Sequence, residues 1–152
     1  MSKQFYVQLT HGIQGGIMPP NPTSIQTLTS APENGQPSLL FKQTKRSHDQ
    51  PKLPDEPTIQ STAAVSKISQ IDGLIAELEG ILKKLPTENP PGGKDIYGLD
   101  IGLMYGSDNV EWMNAAPSGC GGGFSEVEPT PEQIEQFKRA VAIVEEIGNL
   151  SQ

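Results

Sequence analysis

The feature that most constrains the fold is a long amphipathic helix predicted in the middle of the chain. Apolar residues recur at spacings of three and four from Val65 to Leu85, which forms a wide apolar stripe on an α-helix. Gly73 and Gly80 each weaken this helix by about 1 kcal/mol relative to Ala, and Pro86 ends it because proline has no amide N–H to donate. Such a stripe has to be buried against a second layer of structure.

Alternating apolar and polar residues predict that this second layer is a β-sheet. Before the helix we expect three strands, with a turn at 32–35 between the second and third: Gln4–Thr10, Ser24–Ser30 and Ser38–Thr44. After the helix, Asp95–Tyr105 and Val110–Asn114 predict a β-hairpin, because the residues between them are typical of turns.

A second amphipathic helix is predicted near the end of the sequence. Thr130 is suited to the N-cap, Pro131 to the first helical position, and Gln133 completes a capping box. An apolar stripe follows, and Gly148 is a typical stop. The predicted fold class is therefore α+β: a mostly antiparallel sheet of about five strands, in the order β-β-β-α-β-β-α, with two helices packed on one face.

Residues 45–63 differ from the rest of the chain in composition. Lys45 to Pro57 contains three prolines and one leucine, which is too little apolar surface to offset the entropy lost on ordering. We expect a Pro-rich exposed linker or loop here, within a single domain that spans all 152 residues.

Composition excludes several classes of protein. No apolar run approaches the roughly 18 residues that a membrane-spanning helix needs, and Met1 to Thr10 contains no apolar core of a signal peptide. We expect a soluble protein that is cytoplasmic or exported without a classical signal. A single cysteine excludes an intramolecular disulfide framework and a cysteine-based zinc cluster, so we expect no metal and no cofactor.

The distribution of charge argues against nucleic acid as a partner. Residues 1–60 carry five basic and four acidic side chains, whereas residues 61–152 carry six basic and fourteen acidic ones, which gives the net charge of −7. An acidic surface of this kind repels a phosphate backbone. We therefore expect neither nucleic acid nor a membrane to be the partner.

One stretch could carry chemistry of its own. Cys120 lies among glycines in Ser118–Phe124, where its thiol could act as a nucleophile and loop N–H groups could form an oxyanion hole. This mechanism needs a base, and His11 and His48 are the only histidines. The alternative interpretation is a flexible connection that carries an incidental thiol.

Two glycine-rich loops favour recognition of another protein instead. A small scaffold that displays stiff, proline-bounded loops can occupy a partner's cleft at low entropic cost, because the loops are already ordered before binding. The stiffest such projection is expected just after the first strand. The candidate partner-binding residues are Gly15, Gly16, Ile17, Met18, Pro19, Gly121, Gly122 and Phe124.

The layout of Tyr6–Ile17, Leu74–Leu85 and Asp95–Trp112 resembles that of emfourin-type inhibitors of metalloproteases. The shared pieces are a strand that runs into Gly-Gly, a Leu-rich helix and an Asp-x-Tyr hairpin, together about a third of the chain. The roughly 45 residues from Met18 to Ala63 have no counterpart in a compact member of that family, and the Cys120 loop departs from it as well. The resemblance implies an inhibitor whose Gly-Gly reversal enters the enzyme cleft.

The sequence therefore predicts a non-enzymatic protein-binding module, with a protease inhibitor as its specific form. Two alternatives stay open. One is a small cysteine-dependent enzyme that uses Cys120 with His11. The other is a structural subunit of a larger assembly, in which residues 45–63 become ordered only against neighbouring subunits. The sequence does not predict the oligomeric state.

Overall fold

The computed structural model describes residues 4–11, 24–33, 36–45, 59–63, 65–87, 96–108, 110–114 and 126–151. The described part confirms the predicted α+β class, with six strands where about five were expected. In chain order the elements are β1 (Phe5–His11), β2 (Ser24–Glu33), β3 (Gln36–Lys45), β4 (Ile59–Thr62), α1 (Val65–Leu82), β5 (Ile101–Ser107), β6 (Glu111–Met113) and α2 (Pro131–Leu150).

The six strands form one antiparallel sheet in the order β4-β3-β2-β1-β5-β6. The first four strands are consecutive neighbours, and α1 then carries the chain across the sheet from β4 to β5. Val7 in the central strand β1 lies opposite Leu28 of β2 and Tyr105 of β5. This register fixes which side chains share a face, because successive residues of a strand point to opposite sides.

Both helices cover the same face of the sheet, and the core lies between the two layers. Phe5, Val7 and Leu9 of β1 are at most 5% exposed and point into this core. On the same face, α2 approaches β3 so closely that a Cβ atom at Gly148 would lie 3.0 Å from Cε2 of Phe41. Gly148 is therefore not the predicted helix stop; it lies inside α2, where the ring of Phe41 leaves no room for a side chain.

The predictions for the two helices are confirmed to different degrees. The predicted capping box of α2 is confirmed, because the Gln133 N–H donates to Oγ1 of Thr130 at 3.2 Å and the Thr130 N–H donates to Oε1 of Gln133 at 2.8 Å. Helix α1 ends at Leu82, earlier than predicted. There the Leu85 N–H donates to the carbonyl oxygen of Leu82 at 3.2 Å, a tight i to i−3 bond that closes the last turn.

The prediction of an exposed linker over 45–63 is wrong at both of its ends. Lys45 belongs to β3, and Ile59–Thr62 forms the short edge strand β4. Strand β4 is anchored by two bonds: the Ala63 N–H donates to the Leu39 carbonyl at 3.0 Å, and Oγ of Ser61 donates to the Ser151 carbonyl at 2.7 Å. Pairing with β3 and the end of α2, rather than local apolar content, defines this strand. Residues 46–58 lie outside the described part.

Strand β5 begins six residues later than predicted. Gly98 and Asp100 adopt positive φ angles of 71° and 58°, which an extended strand does not allow. Before them, Ile96 and Tyr97 are buried in a turn. The predicted hairpin itself is confirmed, with Tyr105 opposite Trp112. In the described residues, no helix has the length and apolar character required to cross a membrane.

Candidate functional site

The sheet topology brings several strand ends together at one end of the sheet. His11 at the end of β1 lies opposite Ser24 at the start of β2 and Ile101 at the start of β5. Ser24 in turn lies opposite Lys45 at the end of β3, and β4 begins nearby at Ile59. We call this region, defined by these five residues, the junction end of the sheet. Strand β6 also runs toward it.

Three long connections attach at the junction end in addition to residues 83–100, which lead from α1 to the start of β5. Residues 12–23 join β1 to β2, residues 46–58 join β3 to β4, and residues 115–125 follow the end of β6. All eight predicted partner-binding residues belong to the first and third of these connections and lie outside the described residues, as does Cys120. Among the predicted site residues, the structure describes His11 alone.

His11 is the described residue of the junction end that can act as a base. Its Nε2 atom lies 3.8 Å from Oε1 of Glu145 on α2, with side chains that are 34% and 48% exposed. This distance is too long for a hydrogen bond but short enough for an ion pair when the imidazole is protonated. The sheet therefore presents His11 beside a carboxylate at the rim of the core.

Two amide side chains make the core polar at this end. Gln26 of β2 and Gln43 of β3 lie opposite each other, and Gln43 is 6% exposed. Oε1 of Gln26 is buried and has no hydrogen-bond partner among the described residues. An unsatisfied buried oxygen costs about 1–3 kcal/mol, so among the described residues this amide is a destabilising polar group at the junction end.

A second polar cluster lies at the opposite end of the sheet, and the sequence analysis missed it. Glu79 of α1 is 5% exposed, and its Oε2 atom accepts hydrogen bonds from the hydroxyls of Tyr105 at 2.8 Å and Ser107 at 2.6 Å. Burial, together with the bond to Glu79, raises the pKa of Tyr105 well above its usual range. One sequence signal could have revealed it: Glu79 lies four residues after Ile75 and three before Leu82, inside the apolar stripe.

This cluster joins two elements rather than forming a reaction centre. Both hydroxyls donate to the same carboxylate oxygen, and Oγ of Ser107 also accepts the Val110 N–H at 3.2 Å. The Ser107 hydroxyl therefore has its proton and its acceptor capacity engaged inside the fold. The arrangement ties α1 to the β5–β6 hairpin, and we call this end of the sheet the closed end.

Aromatic side chains hold the segment after α1 against the core by ring stacking and hydrogen bonds. The Tyr97 ring stacks on Phe137 with a centroid distance of 4.2 Å, and its hydroxyl donates to the Pro86 carbonyl at 2.6 Å. Nε1 of Trp112 donates to the Leu85 carbonyl at 3.0 Å. Trp112 thus packs in the core, as its pairing with Tyr105 predicts.

Comparisons with known proteins add no family to this description. No protein-family model, no curated protein and no solved structure matches the chain. Within the described residues, no group of three or more His, Cys, Asp and Glu side chains could hold a metal ion. The fold and the site therefore define an α+β protein with one closed end and one end from which long connections extend.

Proposed function

We propose that this protein is a non-enzymatic protein-binding module that acts through the connections at the junction end, and that its partner is a protease. The observation that carries the proposal is the common attachment of these connections. The residues that the sequence singled out for binding lie far apart in the chain, in 15–19 and 121–124. Yet the strands that precede both segments, β1 and β6, run toward the same end of one sheet.

The sheet also prepares the first connection for binding. His11 and Ser24 lie directly opposite each other in paired strands, so their Cα atoms are about 5 Å apart. The ends of residues 12–23 are therefore brought together by the fold, and the entropy of closing this loop is lost on folding rather than on binding. The Gly15-Gly16 reversal of the emfourin-type layout falls within this loop.

A metalloprotease inhibition assay tests this proposal. The protein is titrated into a purified metalloprotease that cleaves a quenched fluorescent peptide, and the doubly substituted Gly15→Leu/Gly16→Leu chain is titrated in parallel. We expect the wild-type protein to inhibit and the double variant to lose inhibition while its thermal unfolding is unchanged. The matched control is Gly73→Leu/Gly80→Leu, because added Cβ atoms there meet nothing within 4 Å.

Each outcome of this assay is informative. Equal inhibition by the wild-type protein and the Gly15→Leu/Gly16→Leu variant would remove this segment from the interface. Absence of inhibition across metalloproteases of different specificity would contradict the assignment of a metalloprotease as partner. Loss of inhibition in the helix control would show that the surface of α1, rather than the junction end alone, takes part in binding.

One observation favours a second candidate, a cysteine-dependent enzyme. His11 lies at the same end of the sheet from which the connection carrying Cys120 begins, and Glu145 stands 3.8 Å from the imidazole, where a carboxylate could orient it. A nucleophile, a base and an orienting group are the three parts of such a mechanism. The candidates for the last two parts, His11 and Glu145, are among the described residues.

Thiol labelling separates this candidate from the binding module. An activated thiolate reacts quickly near neutral pH, whereas an ordinary thiol has a pKa of about 8.5 and reacts slowly there. The enzyme candidate predicts fast labelling of Cys120 that slows in His11→Ala, with Cys120→Ser as the blank. The binding module predicts slow labelling that His11→Ala leaves unchanged.

A further inference from the structure

The two edges of the sheet differ in their side chains. At the β4 edge, the exposed residues Gln60 and Thr62 are polar. At the β6 edge, Met113 is 40% exposed and is one of two large apolar side chains that stand exposed in the described part, the other being Tyr6 at 37%. A free strand edge beside exposed apolar surface is a position where another chain can add a strand.

Hydrogen bonding between β5 and β6 shows which backbone groups face outward. The Ser107 N–H donates to the Val110 carbonyl at 2.8 Å, and the Asn114 N–H donates to the Leu103 carbonyl at 3.2 Å. Bonded pairs alternate along an antiparallel ladder, so Glu111 and Met113 direct their N–H and C=O groups away from β5. No described residue bonds to these outward groups.

Asn114 confines the free edge to β6. Its Oδ1 atom accepts the Leu103 N–H at 2.7 Å, and its Nδ2 atom donates to the Ile101 carbonyl at 3.1 Å. The side chain of Asn114, which is 3% exposed, thus satisfies the groups of β5 that lie beyond the end of β6. An incoming strand can pair with Glu111–Met113 but finds these two groups of β5 already bonded.

The open face of the sheet beside this edge carries apolar side chains together with Glu111, which lies opposite Gly106 on the face that Met113 shares. Met113 lies opposite Met104, and in the next row Tyr6 lies opposite Gly106. A Cβ atom at Gly106 would meet nothing within 4 Å, so there is open space beside the Tyr6 ring. Methionine side chains adapt their shape to different partners, which suits this strip to cover the side chains of an added strand.

Charge defines the kind of strand that fits. Glu111 lies on the edge strand, Asp108 lies in the turn before it, both are exposed, and the whole chain carries a net charge of −7. Lys42, the basic residue in the same row of the open face, is four strands away from Met113. Opposite charges across an interface select the partner and its register.

We propose that β6 binds an extended segment of a partner protein as a seventh strand of the sheet, and that this segment carries apolar and basic residues two positions apart, on the face that Met113 and Glu111 share. The backbone groups of Glu111 and Met113 supply the ladder hydrogen bonds, Met104 and Met113 receive the apolar side chains, and Glu111 and Asp108 attract the basic ones. This inference does not depend on the proposed function, because it uses an edge of the sheet rather than the junction end.

Fluorescence anisotropy tests the proposal with a labelled octapeptide in which every second residue is Lys or Val in turn, with Ser between them (the Lys/Val peptide). The matched probe carries Glu in place of Lys (the Glu/Val peptide). We expect the Lys/Val peptide to bind more tightly at low than at physiological ionic strength, and the Glu/Val peptide not to bind. Met113→Pro removes one outward N–H without breaking the ladder to β5, and it should weaken binding by about tenfold. Glu111→Lys should abolish the preference for the basic peptide. Gln60→Pro, at the opposite edge, should leave binding unchanged.

Amide hydrogen exchange provides a readout that needs no variant. Adding the Lys/Val peptide should slow exchange at the amides of Glu111 and Met113 and leave those of Gln60 and Thr62 unchanged. Equal binding by the two peptides, no binding by either, or full binding by folded Met113→Pro would overturn the proposal. A dimer whose Glu111 and Met113 amides are already protected without peptide would also overturn it, because the occupant would then be a second copy of the chain.

Discussion

The two ends of the sheet differ in how far their buried polar groups are hydrogen-bonded. At the closed end, the carboxylate of Glu79 accepts two hydroxyl hydrogen bonds, and the connections between neighbouring strands are short. At the junction end, Oε1 of Gln26 has no partner among the described residues, His11 lies 3.8 Å from Glu145, and four long connections attach. One end is therefore built for stability, whereas the other end keeps polar groups that stability alone does not require.

The largest expected effect comes from removing the carboxylate at the closed end. Glu79→Ala leaves the buried Tyr105 hydroxyl without its acceptor and should lower the free energy of unfolding by about 3 kcal/mol. Urea unfolding measures this change. Glu135→Ala on the exposed side of α2 is the control and should change stability little. A loss as small as that of the control would show that the cluster does not stabilise the closed end.

Alkaline pH should weaken the same cluster. The fold raises the pKa of Tyr105 above its ordinary value of 10.0, so the unfolded chain releases this proton at a lower pH than the native chain does. Stability that is fully present below pH 10 should therefore fall above it, by about 1.4 kcal/mol per pH unit. Unfolding curves measured across this range for the wild-type protein and Tyr105→Phe should differ in slope. Parallel curves would contradict the assignment.

Replacing the unsatisfied amide at the junction end should increase the stability of the protein rather than lower it. Gln26→Leu removes a buried oxygen that has no partner among the described residues and keeps a side chain of similar size, so it should raise the free energy of unfolding by about 1 kcal/mol. Chemical denaturation measures the gain, with the exposed Gln60→Leu as control. A destabilised Gln26→Leu variant would show that this amide supports the fold and would remove the contrast between the ends.

The smallest effect is expected for the pair at the rim of the junction end. His11 and Glu145 are both partly exposed and too far apart for a hydrogen bond, so His11→Ala should change stability by less than about 0.5 kcal/mol. Thermal unfolding of His11→Ala and Glu145→Ala provides the test. A loss comparable to that of Glu79→Ala would place a stabilising interaction at the end assigned to binding.

The sequence predicts those parts of the fold whose signals are local. Thr130 and Gln133 mark the start of α2 because both partners of the capping box lie within one turn. Similarly, alternation over Phe5 to Leu9 predicts β1 and its buried face, since the apolar or polar character of each residue indicates the side of the sheet on which it lies. These elements needed no knowledge of which strands pair.

Elements that are defined by partners distant in the sequence are not predicted, because they have no such local signal. Strand β4 forms because Ala63 bonds to Leu39 and Ser61 bonds to Ser151, contacts that short-range pattern does not contain. Likewise, Glu79 meets Tyr105 only after α1 has crossed the sheet, so a single acidic residue in an apolar stripe is the whole of its local signal. The junction end was foreseen only as separate loops, because their common attachment depends on strand order.

The central claim is that this protein binds its partner through the junction end of the sheet. The most direct test is site-specific photocrosslinking to the metalloprotease that we propose as its partner, in a Cys120→Ser background. A benzophenone maleimide is attached to Lys45→Cys at the junction end or to Gln4→Cys at the closed end, both of which are exposed positions. We expect the Lys45→Cys conjugate to crosslink to the protease and the Gln4→Cys conjugate not to do so. Crosslinking from Gln4→Cys alone would contradict it.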